Sequence, residues 1–159
     1  KNLTKKDVFT AFFPFVGIAR RFYGMYGSNG FNEYQILIKK SNSVEFVEKV
    51  NELIKSENPS LTVMIMKLFR GKQRFLHFSE DGLSLIFNLK HSRSTLDFLQ
   101  KMDEMVISFG ALPYIVKDSR LTKEMVEQCY PEYYDFKEVL NEIDPKRIFK
   151  SELSERLNL

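Results

Sequence analysis

Residues 31–69 read FNEYQILIKKSNSVEFVEKVNELIKSENPSLTVMIMKLF, and this stretch decides the fold. Its first nine residues, Phe31 to Lys39, are rich in β-branched and aromatic side chains and predict a strand. Strand alternation puts Phe31, Glu33, Gln35 and Leu37 on one face and Asn32, Tyr34, Ile36 and Ile38 on the other. The period then changes. From about Ser43 to Glu57, Phe46, Val47, Val50, Leu53 and Ile54 recur at helical spacing and form one apolar stripe. Asn58-Pro59 ends that helix. Leu61 to Phe69 is nearly all apolar, which predicts a central strand covered on both faces, with Lys67 as the exception. The unit is therefore strand, helix, strand.

The same order repeats downstream. Residues 70–82 (RGKQRFLHFSEDG) are polar and loop-like, with Phe75, Leu76 and Phe78 set among them. Leu83 to Leu89 reads as a third strand. Ser94 to Phe109 is an amphipathic helix with Leu96, Leu99, Met102, Val106 and Phe109 on one side, and Gly110 supplies its stop. Ala111 to Val116 is a short fourth strand. Two consecutive βαβ units predict an α+β fold of the ferredoxin-like type, βαββαβ, with an antiparallel sheet and helices on one face. No internal sequence repeat accompanies it.

The flanks differ in character. Residues 1–30 form an N-terminal block, helical from Phe15 to Tyr26, with Pro14 near the first turn. Gly24, Gly27 and Gly30 then make a turn of GMYGSNG. Its G-x-x-G-x-x-G spacing lies between a helix and a strand, the reverse of the dinucleotide-binding order, so a plain turn is the expectation. The sheet domain covers 31–117. Residues 118–159 form a helical tail, with short helices at Leu121–Cys129, Glu132–Asn141 and Ser151–Leu157. Its Leu153, Leu157 and Leu159 have no obvious partner in so short a tail, which points to packing on another domain.

Composition excludes several classes. With 159 residues, 43% of them hydrophobic, the chain can bury a single core and is not disordered. A net charge of +3 gives no electrostatic case for nucleic acid. One cysteine, Cys129, rules out an internal disulfide and fits a reducing compartment. His77 and His91 alone cannot furnish a zinc site, so no metal is expected. The longest charge-free run, Val8 to Ala19, is too short for a span of about 20 residues, and no cleavage site follows it. The expected location is cytoplasmic, with peripheral attachment at the inner membrane as an added option. The chain starts at Lys1 rather than Met, so a preceding segment is expected.

Few residues carry chemistry on their own. No nucleophilic triad stands out, and Cys129 reads as a packing residue. Arg70, Lys72 and Arg74 lie beside Phe75, Leu76 and Phe78, either as a solvated hairpin loop or as a contact with anionic lipid. Lys67 interrupts the most apolar strand, where an ammonium needs a partner, a cavity or an edge position. Lys117 follows a strand end, where site residues often lie.

GALPYIVKDSR, residues 110–120, resembles the G-x-x-Y-x-x-K-D-S-R stretch of decaprenylphosphoryl-ribose 2′-oxidases, flavoenzymes of the vanillyl-alcohol-oxidase superfamily. Met125 and Tyr130-Pro131 follow as in that family. The ending from Asp144 to Leu159 is similar to its D-P-x-R-x-F-x-S segment. Glu33-Tyr34-Gln35 resembles its Q-Y-Q strand, Met66 to Phe69 its F-K-x-F strand, and Met25-Tyr26-Gly27 with Gly30-Phe31 also fits. The motifs keep their order across nearly the whole chain.

The resemblance implies roles. Lys117 matches the lysine beside the flavin and the substrate sugar, and is the implied catalytic residue. Tyr114 matches a tyrosine near the flavin. Gln35 matches a substrate-contacting glutamine and Lys67 a lysine of the same pocket, with Glu33 and Ser84 at further substrate-side positions. Three departures stand out. Glu33 replaces the first Gln of Q-Y-Q, Ser84 and Ile86 fall at a polar and a Cys position, and Phe13 falls at an upstream tyrosine.

Such oxidases carry an N-terminal FAD-binding half for which this chain has no candidate. The chain is thus expected to be the C-terminal substrate-binding portion of an FAD-dependent oxidoreductase of a sugar hydroxyl, a polyprenylphosphoryl pentose being one such sugar. It is expected to be inactive alone and to partner the FAD-binding domain of its own protein. The alternatives are an aldonolactone or polyol oxidase fragment and a stand-alone ferredoxin-like binding or regulatory module.

Overall fold

The structure is a computed structural model that describes residues 4, 24, 26–117 and 119–159. The helix expected from Phe15 to Tyr26, and Phe13 with it, falls almost wholly outside the described residues. The glycine turn after it is present. Gly27 and Gly30 take φ values of 73° and 75°, which a side chain would oppose.

Four strands make one antiparallel sheet. They are β1 (Phe31–Lys39), β2 (Leu61–Phe69), β3 (Gly82–Lys90) and β4 (Leu112–Pro113), in the order β2-β3-β1-β4. Helix α1 (Ser43–Glu57) joins β1 to β2, and α2 (Arg93–Ser108) joins β3 to β4. This is the expected βαββαβ arrangement. Tyr34, Ile36 and Ile38 of β1 and Leu85, Phe87 and Leu89 of β3 turn to one face, and Phe46, Val50, Phe98, Leu99, Met102 and Val106 of the two helices close over them. Helix boundaries follow local chemistry. Asn58, at φ 46°, caps α1 in the left-handed conformation, Ser92 accepts the Thr95 N–H at the start of α2, and Gly110 takes φ 58° beyond its end. Gly82 matters for another reason. It pairs with Lys39, and a Cβ there would lie 2.0 Å from the Ile38 carbonyl oxygen, so only glycine lets β1 and β3 close at this end.

Two strand expectations need correction. β2 is an edge strand and not a central one, and Met64, Ile65, Met66, Lys67 and Leu68 are exposed. The hairpin connection gives β3 one side of β2, and β1 takes the far side of β3, so the topology leaves β2 outermost whatever its composition. Lys67 thereby gains its edge position. The fourth strand is two residues long rather than six. Pro113 has no N–H to extend the ladder, and the chain turns at Ile115 to Lys117 after one more bond, from the Tyr114 N–H to the Gln35 carbonyl at 2.8 Å.

The tail forms α3 (Lys123–Cys129), α4 (Tyr133–Ile143) and α5 (Glu152–Arg156). Its leucines do have partners in this chain. Leu157 and Leu159 are buried in the same core, Leu153 packs against it, and the Tyr133 hydroxyl donates to the Leu157 carbonyl at 2.6 Å. The sequence interval hides this because Tyr133 and Leu157 stand 24 residues apart.

Candidate functional site

The face of the sheet opposite α1 and α2 carries the other half of the β1 alternation. Glu33 and Gln35 point there, with Ser84 of β3 beyond. Gln35 is 5% exposed, and its Nε2 donates to the Ser84 Oγ at 3.2 Å, which fixes the amide orientation. Lys67 pairs in register with Ser84 and so lies on the same face, on the outer strand. After β4, the bond from Tyr114 to Gln35 holds Tyr114 at the rim. The Lys117 N–H closes a turn onto the Tyr114 carbonyl at 3.2 Å, which brings Lys117 back over the sheet. Its Nζ lies 2.5 Å from Glu33 Oε1 and 5.9 Å from the Tyr114 ring centroid.

Gln35, Lys67, Phe69, Phe78, Tyr114 and Lys117 line one open cleft of about 380 Å³. Four of the six residues singled out in the sequence, Gln35, Lys67, Tyr114 and Lys117, thus meet at one place. The other two stand behind the lining: Glu33 reaches the cleft through Lys117, and Ser84 through Gln35. The sequence reading missed the aromatic wall. Phe78 lies 4.7 Å from Tyr114 and 5.7 Å from Phe69 between ring centroids. Phe69 lay within a quoted motif without a role. Phe78 belongs to the loop read either as a solvated hairpin or as a lipid contact, and only its position among polar residues hints that a polar segment folds back onto the protein.

The loop between β2 and β3 turns its aromatics inward. The Phe75 ring meets Phe136 of α4 at 6.0 Å and lies under the Arg74 guanidinium at 4.8 Å. Arg70, Lys72 and Arg74 remain exposed.

The remaining motif residues hold structure. Arg120 donates twice to the Asp103 carboxylate, at 3.0 and 3.2 Å, and the Tyr34 hydroxyl donates to the same group at 2.8 Å. These bonds anchor the segment after Lys117 to α2. The Asp144 carboxylate accepts the N–H groups of Ile148 and Phe149, both at 2.9 Å, and these bonds hold its carboxyl below the usual carboxylate range. Ser151 and Ser154 then form a capping box for α5. Cys129 is buried, and burial, with the Asp103 charge second, pushes its thiol up to about 11. That suits a packing residue and not a nucleophile.

Residues 20–157 match the family model described as D-arabinono-1,4-lactone oxidase. The chain belongs to that family. The match bears out the resemblance to the C-terminal portion of FAD-linked oxidases. Among similar proteins, decaprenylphosphoryl-β-D-ribose oxidase of Mycolicibacterium smegmatis is 30% identical over 135 residues, which is 84% of this chain and 29% of that protein. L-gulonolactone oxidase 3 of Arabidopsis thaliana is 28% identical over 104 residues, 60% of this chain and 18% of the relative. The chain therefore spans less than a third of either relative's length. No helix among the described residues is long and apolar enough to cross a membrane.

Proposed function

We propose that this chain is the substrate-binding portion of an FAD-dependent oxidoreductase that oxidises a hydroxyl of a sugar or sugar derivative. The observation that carries the reading is the convergence of Gln35, Lys67, Tyr114 and Lys117 on one cleft of the face opposite α1 and α2. The partner is the FAD-binding portion of the same protein. The donor set suits a flavin. Lys117 and Tyr114 offer an ammonium and an aromatic ring together, and an ammonium complements the negative charge that a flavin gains on reduction. When bound, the flavin supplies the hydride acceptor.

The chain's own residues do the rest. Gln35, its amide oriented by Ser84, presents its carbonyl to a sugar hydroxyl. Lys117, paired with Glu33, donates to the oxygen of the reacting hydroxyl and polarises it. The Glu33 carboxylate is the acceptor at hand for the hydroxyl proton. Lys67 binds the outer end of the substrate, and Phe69 and Phe78 exclude water from one side. Relatives named for decaprenylphosphoryl-ribose and for gulonolactone bracket the substrate class: a ring carrying free hydroxyls, lipid-linked or not.

The test uses the full-length protein containing this chain. It should show flavin absorbance and oxidise at least one substrate of a panel of pentosyl phosphates, aldonolactones and polyols. Lys117→Ala should retain flavin and lower kcat by about 10²-fold or more. A flavin-free protein, or a Lys117→Ala variant with full activity, would sink the reading.

A further inference from the structure

The wall of the cleft is held in place from the opposite side of the loop. Phe75 has φ 62°, a left-handed conformation that a bulky aromatic adopts only when its surroundings impose it. The imposing group is Glu132, at the junction of α3 and α4. Its Oε2 accepts the Phe75 N–H at 2.6 Å and lies 3.8 Å from the Arg74 guanidinium Nε. The Phe75 ring is seated on Phe136 of α4. The ends of the loop are tied as well. The Gly71 N–H donates to Asp81 at 2.7 Å, and the Gln73 N–H donates to the Ser79 hydroxyl at 2.8 Å. These two ties close the loop on itself, whereas the Glu132 bond and the Phe75–Phe136 contact fasten its middle to the helical tail. Three residues after Phe75, the chain delivers Phe78 against Tyr114.

We propose that Glu132 is a positioning residue for the substrate cleft: by pinning Arg74 and Phe75 it sets Phe78 against Tyr114, so the helical tail shapes a site that none of its described residues lines. The consequence for substrate recognition rests on the function proposed above, and the latch itself does not. The carboxylate accepting the Phe75 N–H makes a charge-assisted bond, stronger than a neutral one, and the exposed Arg74 guanidinium adds a weaker ion pair at 3.8 Å. Losing them frees a strained residue, and the strain then favours release.

The experiment has two arms on the full-length protein. In the first, hydrogen exchange of the Phe75 amide should quicken about tenfold in Glu132→Ala, while Glu132→Gln, which keeps an acceptor oxygen, restores most of the protection. Glu132→Asp keeps the charge but shortens its reach, so it should also release the amide. It serves if the alanine variant does not fold. Exchange unchanged in both Glu132→Ala and Glu132→Asp overturns the latch, whether or not the protein proves to be an oxidase. In the second arm, Glu132→Ala should raise KM about fivefold with kcat within about twofold. Phe78→Ala should do the same, and the double variant should be no worse than Phe78→Ala alone. Effects on KM that multiply would overturn the connection between Glu132 and Phe78.

Discussion

The two faces of the sheet use the same strands for opposite ends. On the helix face, every inward β1 residue from Tyr34 to Ile38 is apolar or aromatic, and the two helices cover them. On the other face, Glu33 and Gln35 alternate with those residues one position apart, and they serve a cleft. Gln35, at 5% exposed, falls within the range of the core, yet its amide bonds the Ser84 hydroxyl and it shares a cleft with two lysines and three aromatic rings. Burial alone therefore does not separate core from site. What separates them is whether a buried side chain finds its complement in packing or in directed polar contacts that a ligand can extend.

The comparison can be broken most easily on the helix face. Phe98→Ala should cost about 3–5 kcal/mol by chemical denaturation, because the fully buried ring sits against Phe87. A loss below about 1 kcal/mol would mean that this face is not the core. Gly82→Ala should come next, at about 1–3 kcal/mol, since a Cβ there requires β1 and β3 to separate. An unchanged denaturation midpoint would show that the two strands do not meet as described. Gln35→Leu sharpens the contrast. With Ser84→Ala alongside it, so that both partners of the lost bond become apolar, stability should stay within about 1 kcal/mol of wild type, while KM rises about tenfold. A large stability loss with unchanged KM would make Gln35 a core residue.

The smallest effect lies away from both faces. Asp144 has a folded-state pKa below its ordinary value of about 4, so its contribution is fully present above that pH and is lost as pH falls through the folded value. Asp144→Asn should therefore be less stable than wild type at neutral pH, and the gap should close in acid. A gap that is constant with pH would show that the Ile148 and Phe149 bonds do not depend on the charge.

Most of the fold was legible because local signals agreed. The period change at residues 39–43 and the stop at Asn58-Pro59 give β1, α1 and β2 their observed limits. What failed were statements about neighbours. The apolar run of Leu61 to Phe69 suggested a covered strand, but its place is set by topology, and β2 is outermost. The tail leucines seemed partnerless because their partners, Tyr133 among them, are distant in sequence. Lys67 and Lys117 stand out by their strand positions, whereas Gln35 and Tyr114 are singled out by the family motifs alone, and neither signal carries geometry. Phe78 and Glu132 escaped because nothing local marks a loop aromatic as inward-facing or a surface glutamate as a tether.

The Lys117–Glu33 pair has a further consequence. Where the related motif carries a neutral glutamine, this chain places a carboxylate 2.5 Å from the lysine. The pair is neutral as a unit, which leaves Lys67 as the net positive charge among the described residues that line the cleft. A single charge at the rim attracts anions over about a Debye length, roughly 8 Å at physiological salt, and no further. Ligand capture by this cleft should therefore depend only shallowly on ionic strength, and Glu33→Gln should steepen that dependence for anionic ligands.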